Sequence, residues 1–92
     1  MLKHNSYFDG KVQSLGFNSP NGYATAGIIE PGKYKFGTEK EETISITEGT
    51  IKAKLPGKEW KVFVKGSKFV VPAGQSFEVE AEADCAYICY YK

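Results

Sequence analysis

The sequence predicts an all-β protein of one domain, a barrel or a sandwich. Three observations carry that expectation. Apolar and polar residues alternate along almost every segment, as they do in a strand with one buried face. Almost every break in the alternation holds Gly, Pro or Asn. No stretch sustains the 3.6-residue period of an amphipathic helix over about ten residues. Eight or nine short strands with turn signals at regular spacing fit a barrel or sandwich. The 92 residues leave room for a single domain over 1–92, with 1–6 expected as a flexible lead.

Lys11 to Phe17 reads as the first strand, closed by the turn cluster Asn18-Ser19-Pro20-Asn21-Gly22. Tyr23 to Ile29 is the second, ended by Glu30-Pro31-Gly32, where Pro then Gly suit a tight turn. On the third, Tyr34, Phe36 and Thr38 share one face, with Lys33 and Lys35 opposite. Glu42 to Thr47 follows, and Glu48-Gly49 connects it to Thr50 to Leu55. Pro56-Gly57 breaks that strand, and Trp60, Val62 and Val64 define the next. Lys65-Gly66 turns into Ser67 to Val71, ended by Pro72-Ala73-Gly74. Phe77, Val79 and Ala81 alternate with Glu78, Glu80 and Glu82. The last strand, Cys85 to Tyr91, is apolar on both faces, which places it at the centre of a sheet or under a partner.

Twelve basic and eleven acidic residues give a net charge of +1, with no single-sign block. Lysines spaced singly along strands read as a solvated face with edge protection, so nothing points to nucleic acid. No apolar run reaches the length of about 18 residues that a membrane helix needs, and the N-terminus lacks a signal-peptide pattern. A cytoplasmic location is expected. Cys85 and Cys89 sit roughly 13 Å apart on one strand at about 3.3 Å per residue. A disulfide requires Cα atoms within about 7 Å, so both are expected as buried, reduced thiols.

The residue inventory narrows the chemistry. His4 is the one histidine, and it stands outside the strands. A converging set of three or four metal ligands is therefore not expected, nor is a Ser or Cys nucleophile with a histidine base. Phosphate-cradling glycine motifs are absent. Carboxylates, hydroxyls, backbone groups, lysines and aromatics remain.

Among these Glu42 stands out, because it shares strand parity with the apolar Ile44 and Ile46. At a strand's first position such a carboxylate can still reach water or a lysine. The functional reading is a partly desolvated carboxylate at the mouth of the fold, its pKa raised, ready to accept hydrogen bonds or stabilise positive charge. Glu48 has the same parity but abuts Gly49 and is expected in solvent. Tyr87 and Tyr91 share parity with both cysteines, and Phe36, Phe69 and Phe77 fall on apolar faces. Core packing explains most of these, yet buried tyrosine hydroxyls need partners, and a tyrosine-lined pocket would stack on a heterocycle. Trp60 reads as a packing anchor.

The ordered set GKYKFGTEKEETISITEG, LPGKEW, GSKFVVPAGQSF and YICYY resembles the small cupin-fold pyrimidine/purine nucleoside phosphorylases. Tyr7-Phe8, Gly10-Lys11-Val12 and Gly16-Phe17 match the head of that family, and the resemblance spans nearly the whole chain. Ile44 stands where a methionine is usual, Glu48 where a small serine is common, and Gln75 where a serine is usual, with Ser76 beside it.

The resemblance implies a jelly-roll type cupin barrel that forms homodimers. It implies metal-independent phosphorolysis of purine and pyrimidine nucleosides to free base and ribose 1-phosphate. Inorganic phosphate is then the co-substrate and no cofactor is needed. Glu42 is the expected catalytic carboxylate. Phe36, Thr38, Gln75, Ser76, Phe77, Tyr87 and Tyr91 are the expected substrate contacts, with Thr38, Gln75, Ser76 and the Pro72-to-Ser76 backbone toward phosphate and the tyrosines toward the base. The competing readings are a non-catalytic module that binds a nucleoside or another metabolite, and a purely structural dimeric β-protein.

Overall fold

Alternation decides which side chains meet in the interior, and hydrogen bonding decides which strands carry them there. The computed structural model describes residues 1–92 as ten strands and no helix. They are β1 (Lys3–Tyr7), β2 (Val12–Ser19), β3 (Gly22–Ile29), β4 (Gly32–Gly37), β5 (Glu42–Glu48), β6 (Thr50–Lys54), β7 (Trp60–Val64), β8 (Lys68–Val71), β9 (Ser76–Ala81) and β10 (Cys85–Tyr91). A six-stranded sheet runs β1-β2-β3-β10-β5-β8, and a four-stranded sheet runs β4-β9-β6-β7. All pairings are antiparallel.

The sheets do not close into the expected barrel. β1 and β8 end one sheet and β4 and β7 end the other, so four edges stay unpaired and the two sheets face each other as layers. The core lies between them, with Ile44, Ile46 and Val12 from one sheet meeting Ile51, Phe63 and Val79 from the other. β10 holds the centre of its sheet between β3 and β5, as its apolar composition predicts.

Three local readings need correction. Lys3–Tyr7 pairs residue for residue with β2, although the sequence reading gave it no strand. Its KHNSY sequence leaves only Asn5 partly covered, so no alternation marks it. On β7 the parity is inverted: Phe63 is buried, while Val62 and Val64 are 52% and 53% exposed. Phe63 packs its ring on Phe69 at 4.5 Å, a contact that outweighs two valines on an edge strand. Trp60 consequently lies on the outer face, half-buried, with the Lys33 ammonium 5.0 Å from its ring centre.

One irregularity aims a side chain. The β10–β5 register shifts between Ala86, opposite Glu48, and Tyr87, opposite Ile46. Thr47 is the extra residue, and such bulges redirect neighbouring side chains. Beyond it, Tyr87, Cys89 and Tyr91 share the inner face.

Candidate active site

Between the sheets the packing leaves a cavity of about 430 Å³, within the range of small-ligand sites. Five expected residues line it together: Phe36, Glu42, Phe77, Tyr87 and Tyr91. They arrive on β4, β5, β9 and β10, so both sheets build the site. Phe36 and Phe77 stack at 5.5 Å with 28° between their planes, forming one wall. The tyrosines of β10 stand on the other sheet.

Glu42 supplies the cavity's one carboxylate, half-buried at the start of β5. Burial pushes its carboxyl above the ordinary range, and a hydrogen bond from the Cys89 thiol opposes that rise. The thiol donates to Oε1 at 3.4 Å. Cys89 is itself raised, first by burial and then by the Glu42 charge. Burial pushes the Tyr87 phenol up to about 12, while the Ser14 hydroxyl beside it pulls the other way. Tyr91 is also raised by burial, and its hydroxyl lies 3.2 Å from Thr25 Oγ1. The phenols therefore stay neutral over the working range of proteins, able to donate without carrying charge.

Gly27 makes room for Tyr87. It lies opposite Tyr87 on β3, and a Cβ there would stand 2.5 Å from the phenol ring and hydroxyl. Only the missing side chain lets the ring lie across the strand.

Thr38, Gln75 and Ser76 lie elsewhere, together along an open polar surface beyond the Gly37 end of β4. The Thr38 hydroxyl is buried and donates to Pro72 O at 2.7 Å, while accepting from Gln75 N at 3.1 Å. It braces the turn. Gln75 and Ser76 are exposed on that turn.

The structure adds Tyr7, Phe8, Ser14, Lys35 and Cys89 to the cavity wall. The parity shared with Tyr87 and Tyr91 marks Cys89 in the sequence. Phe8 comes from the β1–β2 turn, where Phe8, Asp9 and Gly10 have φ of 53°, 57° and 85°. A bulky residue in that region is strained, and such strain gathers at functional sites. The Phe8 ring packs 4.9 Å from Tyr34 and 5.5 Å from Phe36. No group of three or more His, Cys, Asp or Glu side chains gathers as a metal site. His4 lies on exposed β1, its Nε2 3.0 Å from Gln13 Oε1. No helix is long and apolar enough to cross a membrane.

An aromatic-lined cavity with one partly desolvated carboxylate has the chemistry to hold a flat ring beside hydroxyl groups. The sequence model of the pyrimidine/purine nucleoside phosphorylase family matches residues 2–91. A pyrimidine/purine nucleoside phosphorylase of Magnetococcus marinus is 47% identical over 92 residues, covering 99% of each chain. A crystal structure of a protein of unknown function from Vibrio parahaemolyticus superposes with a TM-score of 0.95 at 36% identity, covering 100% of this chain and 99% of that one. An RmlC-like cupin from Shewanella frigidimarina shares the fold alone, with a TM-score of 0.76 at 15% identity over 97% of this chain and 81% of that one. With the family's sequence pattern running from residue 2 to residue 91 and a relative sharing nearly half its residues end to end, the chain belongs to the pyrimidine/purine nucleoside phosphorylase family.

Proposed function

We propose that this chain is a pentosyltransferase: it transfers the ribosyl group of purine and pyrimidine nucleosides to inorganic phosphate, giving free base and ribose 1-phosphate. The observation that carries the reading is Glu42, a half-buried carboxylate and the only one lining the aromatic cavity. Breaking an N-glycosidic bond builds positive charge on the sugar, and a fixed carboxylate in a desolvated site stabilises that charge. Glu42 also accepts hydrogen bonds from ribose hydroxyls. The base stacks against Phe36, Phe77 and Tyr87, and Tyr87 or Tyr91 donates to it. Stacking tolerates every base because each has an apolar face, which accounts for broad acceptance. The reading uses no metal or cofactor; phosphate is the co-substrate.

Two further parts belong to it. The outward face of β2, β3 and β10 carries Leu15 and Ile28, 44% and 48% exposed, with Ile88 between them and β5. We assign this face to a homodimer, since a small domain leaves much apolar surface uncovered. We also assign the protein to the cytoplasm, where nucleosides and phosphate are both at hand.

The test is base release from uridine, adenosine, guanosine and inosine, with and without phosphate. Phosphate-dependent release, lowered about a hundredfold or more by Glu42→Gln, is expected. Release without phosphate would mean hydrolysis. No release from folded protein would leave a binding module.

A further inference from the structure

One aromatic ring reaches the cavity from outside both sheets. Phe8 belongs to the turn between β1 and β2. It lines the cavity together with Tyr7, yet the two are 42% and 49% exposed. Phe69 and Phe77, which line it too, are buried. Side chains that meet both cavity and solvent stand at the mouth.

The turn fixes the Phe8 ring there against the preference of its backbone. Phe8 and Asp9 hold left-handed φ of 53° and 57°, which a bulky residue keeps only where its surroundings impose it. Hydrogen bonds impose it. Gly10 N donates to Tyr7 O and Lys11 N to Phe8 O, each at 3.2 Å, and Glu30 N donates to Lys11 O at 2.8 Å. The Gln13 side-chain amide donates to Gly10 O at 2.9 Å. The ring rests on Tyr34, whose own hydroxyl is tied to Glu30 O at 2.8 Å. It stands at 87° to Phe36, so the two rings form a corner. A ring needed only for the core would be covered, and Phe8 is not.

Register places this turn far from Glu42. Tyr7, Val12, Ile29 and Cys85 lie in one row across β1, β2, β3 and β10. Glu42 lies in the row of Tyr91. Cys85 and Tyr91 begin and end β10, roughly 20 Å apart at about 3.3 Å per residue. Tyr87 stands between the two rows. A nucleoside whose ribose meets Glu42 therefore extends its base past Tyr87 toward the Phe8 corner. A pyrimidine ends after one ring. A purine, joined to ribose through its five-membered ring, carries its six-membered ring farther.

We propose that Phe8 is a specificity-determining residue: its ring covers the six-membered ring of a purine at the cavity mouth and favours purine over pyrimidine nucleosides. The inference rests on the nucleoside reading above and adds a preference within its broad base acceptance. Stacking grows with overlap and needs no hydrogen bond at the base edge. Pyrimidine nucleosides still bind against Tyr87 and Phe36, without reaching Phe8.

Calorimetric binding of inosine and of uridine, without phosphate, tests this, with the Tm measured for every variant. Phe8→Leu keeps an apolar side chain and removes the flat ring. Phe8→Asn removes the ring with a residue that tolerates the left-handed region, so one variant without the ring keeps a relaxed turn. Both are expected to raise the inosine Kd about tenfold and the uridine Kd less than about twofold, while Phe8→Tyr keeps both near wild type. A merely structural Phe8 would shift the Tm and move both Kd values together. Equal factors for the two nucleosides, or an unchanged inosine Kd in both variants, overturn the assignment. Binding needs no turnover, which separates this inference from the reading it rests on. If the protein releases no base but binds inosine, and Phe8→Leu weakens inosine far more than uridine, the role of Phe8 stands and phosphorolysis falls. If release depends on phosphate while inosine and uridine lose equally, phosphorolysis stands and the role of Phe8 falls. Folded wild-type protein that binds neither nucleoside at millimolar concentration overturns it as well.

Discussion

The Cys89 thiol donates to Glu42 Oε1 at 3.4 Å, diagonally across neighbouring strands: Cys89 lies opposite Ile44, and Glu42 opposite Tyr91. Burial raises the Glu42 carboxyl, and this bond is the one influence that lowers it. The other titratable residues lining the cavity are Tyr7, Tyr87 and Tyr91, with Lys35 at its border, exposed on the outer face of β4. Removing the thiol therefore lifts the carboxyl further. In Cys89→Ala the acid limb of kcat/KM against pH moves to higher pH. Cys89→Ser, which keeps a donor, leaves it at or below the wild-type position. Identical acid limbs in both variants would show that the thiol does not tune Glu42.

The same carboxylate carries a stability signature. Its folded pKa lies above the unfolded value of about 4.3, so folding favours the protonated form. That stabilisation is present below the unfolded pKa and is lost as pH rises through the folded one. Glu42→Gln, neutral throughout, should raise the Tm relative to wild type at pH 7, and the gap should close toward pH 4. Thermal melts at both pH values check it. A lower Tm for Glu42→Gln at pH 7 would mean that ionised Glu42 contributes net stability.

What the sequence made legible follows from geometry. Parity along β5 and β10 was enough to bring Glu42, Tyr87 and Tyr91 to one face, because central strands allow little freedom. Parity held at Lys35, which is exposed on the face of β4 opposite the buried Tyr34. It failed on the edge strand β7, where the Phe63 ring turns inward and two valines are left outside. Tyr7 and Phe8 lay beyond any periodicity, since their place depends on three successive positive φ angles at a turn. Thr38 shows the opposite case: its parity was right and its hydroxyl is spent on the fold.

Gly27 should behave as a positioning residue acting through Tyr87. A methyl there would overlap the phenol ring, forcing it off the strand. Gly27→Ala is expected to raise the KM for purine and pyrimidine nucleosides alike by about tenfold, close to Tyr87→Leu, because each loses one stacking surface. The double variant should cost no more than Tyr87→Leu alone. Additive losses would place the Gly27 effect elsewhere.

The outer face of β10 offers a test of assembly independent of catalysis. Ile88 lies between Ala26 of β3 and Ser45 of β5, on the face opposite Cys89. Ile88→Lys would put a charge in the middle of the proposed dimer contact, and a buried unpaired charge is strongly unfavourable. Sedimentation is expected to show a dimer for wild type and a monomer for the variant at the same concentration. A wild-type monomer, or a dimeric variant, would move the contact off this face.

Thr38 separates bracing from substrate binding. Its hydroxyl satisfies Pro72 O and Gln75 N in a buried position. Thr38→Val keeps the shape and leaves both backbone groups short of a partner. A loss of about 1–3 kcal/mol in urea unfolding is expected. The nucleoside KM should hold, because Thr38 does not line the aromatic cavity. The phosphate KM should rise modestly, since the turn presenting Ser76 and Gln75 loosens. If instead stability is unchanged and the phosphate KM rises about tenfold or more, the hydroxyl is itself a phosphate ligand, and the turn must open on binding to release it.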